Sequence, residues 1–478
     1  MENKHYLKIF ETEEEYNKKM NSIMGDPHVV LIENKDRKKI MYFDSTKKSR
    51  DYFTIEALEE NTKISLSNND LYYCIDNDNN WIELKKGDDI TITTNQKIKI
   101  KIKGPFIGNS SGIGTFSVSG SFNVEGNIMS LLYGDDFVEQ KNINGKNYAF
   151  YRLFDGCKTL KSADGLVLTP TVLSNNCYGY MFSGCTSLTK IPILNATTLA
   201  NNCYQYMFQG CTSLITAPEL SATTLADFCY NGMFDSCTSL TGAPELPATT
   251  LASGCYAMMF VSCTSLTTAH KLPATTLASA CYTMMFAYCT SLTEAPQLPA
   301  TTLTDFCYNG MFGGCTSLTI APELPATTLT ENCYNAMFDG CSNLNYIMML
   351  ATDISASKCL TDWVNGVASS GTFVKNYYTN LDNGSSGIPN KWVLLNIKDN
   401  ITCGIFYIDL FSGKEKFDFE LGMTWERWVN SEYNTIYAYI ENENIYVGGG
   451  LIIKEFDQGV VKPKDSIMTN GSYVQITQ

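Results

Sequence analysis

The sequence has very little histidine: only His5, His28 and His270 occur in 478 residues. Histidine is the usual acid–base group near neutral pH and a common zinc ligand. Cysteine pairs at zinc-finger spacing are also missing, because the paired cysteines stand eight residues apart. These absences argue against His-based catalysis and against a zinc shell. The sequence therefore predicts a non-enzymatic protein with no catalytic residues, no metal site and no cofactor.

Basic side chains are in the minority, with 35 Lys and Arg against 49 Asp and Glu and a net charge of -14. Binding to phosphate backbones depends on basic patches, so nucleic acid is not an expected partner. No apolar run of the roughly 18 residues that a spanning helix needs is present. Lys and Glu interrupt the first twenty residues, where a secretory signal would be apolar. We expect a chain made in the cytosol without a membrane span, and a removed leader stays an alternative.

The repeated part of the chain is poor in charge of either sign. Residues 177–341 contain two Lys and nine Asp or Glu. A Thr-rich surface with so little charge suits contact with sugars or protein, with modest long-range steering. The alternative is that Thr lines β-like ladders because β-branched residues fit there.

Cysteine is abundant, and sixteen of the eighteen residues fall in two columns with a period of 26, except that Cys157 precedes its column after a two-residue insertion. One column contains Cys177, Cys203, Cys229, Cys255, Cys281, Cys307, Cys333 and Cys359. The second column contains Cys157, Cys185, Cys211, Cys237, Cys263, Cys289, Cys315 and Cys341. A fixed period with recurring Leu predicts a stacked solenoid, because one unit cannot bury its own Leu, Met and Phe. The cysteines are then expected to be buried free thiols.

Within one repeat, the sequence predicts a strand around the LTxAPEL segment, followed by a turn at Pro. The CYxxMFxxC segment on the other side predicts a short helical turn. The first and last units, 149–157 and 359–367, deviate from the consensus as terminal repeats do. The stretch that follows closes the array, with Trp392 as the expected core anchor.

The rhythm [AF]F-x-x-C-x-x-L between Tyr148 and Val367 resembles the BspA-like leucine-rich repeats of Bacteroidota surface and phage-encoded proteins. The resemblance covers nearly half of the chain. It implies adhesion and binding rather than catalysis. Many bacterial surface members carry a leader and an anchoring region, and this sequence shows neither pattern.

The flanks of the array suggest further modules. A strand, a helix opened by Thr12 and Glu15, and two more strands resemble an N-terminal module of structural proteins of gut Bacteroides phages, including crAss-like ones. The GMTWERWVNSEYNT segment near Thr424 is similar to a terminal module of phage tail and fibre-like proteins.

The expected domains are a βαββ attachment module at 1–50, an all-β domain at 51–147, the leucine-rich-repeat solenoid with caps at 148–395, and a C-terminal α/β adaptor at 396–478. The fold class is α+β multidomain.

Differences between repeats point to a candidate binding patch. Met258, Val261, Met284 and Tyr288 stand in two adjacent repeats where other units carry small or polar residues. The alternative is that they are ordinary exposed apolar side chains. Two other motifs are rejected: Gly108–Gly112 fits GxSxG without the required elbow, and the calcium-like run Asp76, Asp78, Asn80 lacks the Gly and Glu that such a loop needs.

The combined expectation is a binding or structural protein, a phage virion or fibre-associated component that adheres to a host-surface glycan or protein. Its terminal modules would bind other virion proteins, and a homotrimer is expected only by analogy with fibre proteins. It would be made in the host cytoplasm and located in the virion. The alternative is a BspA-like adhesin on the bacterial cell surface whose leader is missing.

Overall fold

The structure is a computed structural model of the chain. It describes the backbone and side chains of residues 51–76, 80–104 and 112–396, and only the backbone of strands outside these ranges. The helices predicted at Thr12 and near Thr424, most of the rejected GxSxG motif, and Asp78 of the rejected calcium-like run lie outside the described residues.

The N-terminal strands form one small antiparallel sheet. They are β1 (Tyr6–Ile9), β2 (Val29–Asn34) and β3 (Arg37–Tyr42). The strand order is β1-β3-β2, and β2 and β3 are joined as a hairpin. The three strands predicted for this part of the chain are therefore confirmed.

The next part of the chain is built almost entirely of strands. They are β4 (Phe53–Ala57), β5 (Thr62–Leu66), β6 (Leu71–Ile75), β7 (Ile82–Leu84), β8 (Ile90–Ile92), β9 (Lys97–Ile102), β10 (Phe116–Val118) and β11 (Phe122–Asn127). The short helix α1 (Ser130–Tyr133) and one 3-10 turn (Gly134–Asp136) follow. The alternation in β9 buries Ile98, Ile100 and Ile102, as period-two patterning predicts.

This β region continues directly into the first repeat. One sheet has the order β10-β5-β8, and the other has the order β12-β11-β4-β9-β6-β7, where β12 (Leu160–Val167) belongs to the repeated part. Strand β11 pairs with β12 in parallel. The Phe116 amide donates to the Leu153 carbonyl at 2.8 Å, and the Phe116 ring stacks on that of Phe154. The FNVEGN segment therefore docks on the first repeat through β11.

The CYxxMFxxC segment consists of consecutive turns, so the helical turn predicted for it is wrong. Alternate amides donate within the repeat and to the next one. For example, the Met207 amide donates to the Tyr204 carbonyl at 3.1 Å, while the Tyr204 amide donates to the Cys229 carbonyl at 2.9 Å. Every second residue of this segment is therefore tied to the neighbouring repeat by a backbone hydrogen bond.

Two aromatic columns run through the repeats at the same 26-residue spacing. The tyrosine column contains Tyr178, Tyr204, Tyr230, Tyr256, Tyr282, Tyr308 and Tyr334, and the phenylalanine column contains Phe182, Phe208, Phe234, Phe260, Phe286, Phe312 and Phe338. Neighbouring rings are stacked, with centroids 5.6 Å apart for Tyr178 and Tyr204 and 5.5 Å apart for Phe182 and Phe208. This buried ladder indicates a repeat solenoid.

The opposite side of each repeat makes single parallel β-bridges instead of the predicted strand. Thr216 bridges Gly242, and Thr224 bridges Thr250. A proline in each of these segments cannot donate to a ladder, which limits pairing to single residues.

The array ends on a parallel sheet of β13 (Tyr346–Met349), β14 (Thr372–Asn376) and β15 (Val393–Ile397). Trp363 is fully buried where the other repeats carry Met, and its Nε1 donates to the Gly387 carbonyl at 3.0 Å. Trp392 is buried, and its Nε1 donates to the Ala368 carbonyl at 2.7 Å. The predicted anchoring role of Trp392 is confirmed.

The last six strands are β16 (Ile405–Ile408), β17 (Asn434–Glu441), β18 (Asn444–Gly448), β19 (Leu451–Asp457), β20 (Val460–Ile467) and β21 (Val474–Thr477). They form a β16-β17-β18-β21 sheet and a β19-β20 hairpin, all antiparallel. The described regular structure is thus mostly strand with little helix. Among the described residues, no helix has the length and apolar character needed to cross a bilayer.

Candidate binding face of the repeat array

The consecutive turns give each repeat an outward surface, which we call the turn face. In one repeat it consists of the outward residues of 201–210, and the other repeats add their equivalents 26 residues apart. Cys203, Tyr204, Met207 and Phe208 point into the core and are fully or almost fully buried. The residues between these pairs lie on the turn face.

Three positions of the turn face in each repeat have left-handed backbone. In one repeat they are Asn202, Tyr206 and Gly210, with φ of 57°, 52° and 68°. Tyr206 and Gly210 are the third residues of turns closed by Met207 and Cys211. A positive φ at this place is typical of type II turns and favours Gly or Asn.

The predicted patch residues lie on the turn face, and three of them occupy left-handed positions. Met258, Met284 and Tyr288 have φ of 56°, 53° and 61°. Tyr288 is 55% exposed, and Met258, Met284 and Val261 are partly exposed. Val261 precedes a left-handed serine, and its amide donates to the Met258 carbonyl at 3.2 Å. All four residues therefore face outward in neighbouring repeats.

Other repeats have glycine at these left-handed positions. Gly232 and Gly310 are equivalent to Met258 and Met284, with φ of 59° in both. Gly314 is equivalent to Tyr288, with φ of 74°. A left-handed conformation costs a residue with a Cβ about 1–2 kcal/mol. The larger side chains are therefore held where the backbone alone would favour glycine.

Sequence reasoning missed two further aromatic residues of this face. Phe228 and Phe306 are 39% and 40% exposed, with φ of 54° and 60°. They stand directly before the first cysteine of their repeats. Comparison of that position along the repeats, where Asn, Gly and Ala also occur, would have found them.

The large side chains lean over glycines of the following repeat. A Cβ added at Gly232 would lie 2.1 Å from the Tyr206 ring, and one at Gly314 would lie 2.5 Å from the Tyr288 ring. The Tyr206 hydroxyl reaches past Gly232 and donates to the Met258 sulfur at 3.8 Å. Each ring is thus accommodated because the next repeat has no side chain there.

The N-terminal end of the turn face has a cation–aromatic cluster. The rings of Tyr180 and Tyr206 stack with centroids 5.0 Å apart. The Arg152 guanidinium lies 4.8 Å from the centre of the Tyr180 ring and also pairs with Asp155 at 3.3 Å. The positive charge at this end is therefore already engaged.

From residue 201 to residue 340 the charged side chains of the turn face are all acidic. They are Asp227, Asp235, Asp305, Glu331 and Asp339, and none of them forms an ion pair with a described residue. Between Lys190 and Lys358 the chain has a single basic side chain, Lys271, which is outside the turn face. The apolar patch is therefore flanked by carboxylates without cations of their own.

The thiols of the array are buried and chemically unsuited to catalysis. The Cys211 thiol donates to the Phe182 carbonyl at 3.2 Å, and the same contact recurs in later repeats. Burial raises the pKa of Cys177 and Cys289 to about 12. Nucleophilic and metal-binding cysteines need the thiolate, which burial disfavours. Within the ranges that carry side chains, no group of three His, Cys, Asp or Glu residues is placed to hold a metal ion.

The β region has one buried cation, Lys101, which lies in an aromatic cluster. Its Nζ is 4.2 Å from the centre of the Trp81 ring and 2.7 Å from the Asp135 carboxylate. The Tyr52 hydroxyl donates to the same carboxylate at 2.6 Å. Hydrogen bonds from Lys101 and Tyr52 lower the pKa of Asp135. This cluster is occupied by the protein's own lysine, so it stabilises the β region and is not a candidate ligand site.

In comparisons with known proteins, the chain matches no family model, no curated protein and no solved structure.

Proposed function

We propose that this chain is a non-enzymatic binding protein whose central array is a leucine-rich-repeat solenoid that binds its partner through the turn face. The observation that carries this proposal is the left-handed backbone of Met258, Met284 and Tyr288. Residues in such sparsely populated conformations cluster at functional sites. Glycine at Gly232, Gly310 and Gly314 fits the same turns, so the turns themselves do not require large side chains.

The packing of the array supports a preformed binding surface. Alternate backbone amides of each CYxxMFxxC segment donate to the next repeat, and the buried rings beneath it are stacked. A surface held in this way loses little conformational freedom when a partner binds, which favours affinity. The turn face is therefore suited to recognition without rearrangement.

The biological setting is proposed from the sequence resemblances. The repeats resemble BspA-like adhesion modules, and the two ends of the chain resemble modules of phage structural and fibre-like proteins. We place the chain in a phage virion or fibre, where the array adheres to a host-surface protein or glycan and the terminal modules bind other virion proteins. The repeat resemblance fits a bacterial surface adhesin equally well. Mass spectrometry of purified virions and of host outer membranes separates the two, and detection in host membranes alone contradicts the virion assignment.

The binding proposal is tested with fluorescently labelled full-length chain and intact host cells. The triple variant Met258→Gly, Met284→Gly, Tyr288→Gly removes the patch and gives the turns the residue that other repeats carry. We expect at least a tenfold loss of affinity, which is about 1.4 kcal/mol. The matched control is Asn176→Gly, Asn202→Gly, Ala336→Gly, which changes three left-handed positions of the same face in repeats that do not contain the patch. Equal binding by both variants and the wild type would contradict the proposal.

A further inference from the structure

We propose that the partner seated on the turn face is a basic protein segment, an extended peptide with Arg or Lys on both sides of apolar side chains. This inference rests on the proposed function and names the chemistry of its partner. It is carried by the placement of carboxylates around the apolar patch.

The patch has acidic residues at both ends of the same columns. Along one column the repeats read Asp227, Ser253, Ser279 and Asp305, and along another they read Asp235, Val261, Ala287, Gly313 and Asp339. Met258, Met284 and Tyr288 lie in the two repeats between these acidic ends. The patch thus has apolar side chains in its middle and carboxylates at each end. This arrangement complements a peptide that is apolar in its centre and cationic at both ends.

The spacing fits a short extended segment. Stacked strand-like backbones are about 4.8 Å apart, so three repeats separate Asp227 from Asp305 by roughly 15 Å. An extended chain advances about 3.3 Å per residue, so roughly four to five residues span this distance. Two basic side chains at that separation can each meet a carboxylate while the residues between them contact the patch.

The charges also select against other partners. A neutral glycan gains hydrogen bonds but no charge pairing from these carboxylates, and an anionic glycan, lipid phosphate or nucleic acid is repelled by them. The carboxylates are held in place, because Asp227 accepts from the Ser253 amide at 3.0 Å and Asp305 accepts from the Glu331 amide at 3.1 Å. Asp339 accepts from the Asn365 side chain at 2.8 Å. Carboxylates that are fixed in this way and have no ion-pair partner among the described residues favour a cationic partner.

The test uses fluorescence polarisation with the full-length chain and a labelled peptide, Arg-Arg-Leu-Phe-Ser-Leu-Arg-Arg, whose inner arginines are five residues apart. A second peptide with Glu in place of every Arg carries the opposite charge. We expect the Arg peptide to bind and the Glu peptide not to bind. Affinity for the Arg peptide should fall about tenfold between 50 and 300 mM NaCl, because screening weakens exposed charge pairs. A neutral-oligosaccharide array is probed with the same chain, and tight binding there with no binding of the Arg peptide would overturn the inference.

The variant Asp227→Asn, Asp305→Asn, Asp339→Asn keeps an acceptor oxygen at each site and removes three charges from the turn face. It should bind the Arg peptide at least tenfold more weakly. The control Glu219→Gln, Glu245→Gln, Glu294→Gln removes three exposed charges elsewhere and should stay within about twofold of the wild type. If both variants bound the Arg peptide equally weakly, the loss of affinity would come from net charge alone, and the inference would be overturned.

Binding to host cells by the same variants separates this inference from the proposed function. If the glycine triple variant loses host-cell binding and the Asp→Asn variant keeps it, the turn face binds a partner that is not basic, and only the inference fails. If neither variant changes host-cell binding, the proposed function fails as well. Melting curves followed by circular dichroism must show that both variants remain folded.

Discussion

At the scale of single residues, the buried core positions and the left-handed positions of the turn face hold the same residue type in different surroundings. Tyr282 and Tyr288 belong to the same repeat and differ in this respect. Tyr282 is buried in the aromatic column, with its ring 5.9 Å from that of Tyr256. Tyr288 is exposed at a φ of 61°. One tyrosine packs the core, and the other is held outward on the turn face.

This difference in burial predicts effects of very different size on the free energy of unfolding. Tyr288→Gly should leave the free energy of unfolding within about 1 kcal/mol of the wild type. Relief of the left-handed backbone strain offsets the lost ring contacts and the added conformational entropy of the unfolded chain. Tyr282→Ala should destabilise by about 3–5 kcal/mol, as large-to-small changes of buried aromatic residues do. Urea unfolding of both full-length variants measures the difference. A loss of several kcal/mol for Tyr288→Gly would show that this side chain is structural.

The candidate residues could be found in the sequence only in part. Met258, Val261, Met284 and Tyr288 were predicted because they break the pattern of their columns. Their left-handed backbone could not be predicted, because a methionine or tyrosine gives no sign of positive φ and normally avoids it. Phe228 and Phe306 escape the prediction because they directly precede the first cysteine, whereas the predicted residues follow Cys-Tyr or stand just before the second cysteine.

At the scale of the element, the CYxxMFxxC segment shows why a turn was mistaken for a helix. Its apolar residues recur at intervals of four, close to the 3.6-residue period of an α-helix. Consecutive turns that bury two residues and expose two have nearly the same spacing. The distinction depends on where the amides donate, and here the Tyr206 and Phe208 amides donate to the next repeat. That partner lies outside any local sequence window.

The contact between a large side chain and the glycine of the next repeat predicts coupling between neighbouring elements. Gly232→Ala should lower the free energy of unfolding by about 1–3 kcal/mol in addition to the cost of backbone strain. The added Cβ would overlap the Tyr206 ring. Gly156→Ala is the matched control, because its φ is also positive and nothing lies within 4 Å of the added Cβ.

A double-mutant cycle tests this coupling directly. Adding Tyr206→Gly to Gly232→Ala should recover most of the extra loss, because the overlapping ring is gone. The same addition to Gly156→Ala should recover nothing. Additive effects in both pairs would show that the ring and the glycine are independent.

At the scale of the whole molecule, the strict period predicted both the stacking and the burial of the cysteines. The sixteen cysteines of the two columns are buried free thiols, as expected from their spacing. Domain boundaries are less readable, because the β region and the first repeat share a sheet through β11 and β12. A sequence has no marker for strands that pair across such a junction.

The buried thiols predict loss of stability at alkaline pH. Burial raises the pKa of Cys177, Cys237 and Cys289 to about 12, above the ordinary value of 9.0. The unfolded chain therefore releases protons first as the pH rises, and the stabilisation present below pH 9 is lost between about pH 9 and 12. Each such thiol contributes a slope of about 1.4 kcal/mol per pH unit in this window. Thermal melts should be nearly constant from pH 7 to 8 and should fall steeply above pH 9.

A variant with fewer buried thiols provides the control for this pH dependence. Cys211→Ala, Cys237→Ala removes two thiols from one column, so its melting temperature should fall less steeply above pH 9 than that of the wild type. Identical slopes would show that the thiols do not set the alkaline limit.

The central claim, that the turn face is the binding surface, is tested most directly by one affinity ratio. It is the ratio between the wild-type chain and the variant Met258→Gly, Met284→Gly, Tyr288→Gly, measured on intact host cells at matched folded fractions. We predict a ratio of at least ten, with a ratio near one for the control Asn176→Gly, Asn202→Gly, Ala336→Gly. A ratio near one for the patch variant would contradict the claim and place binding elsewhere on the molecule.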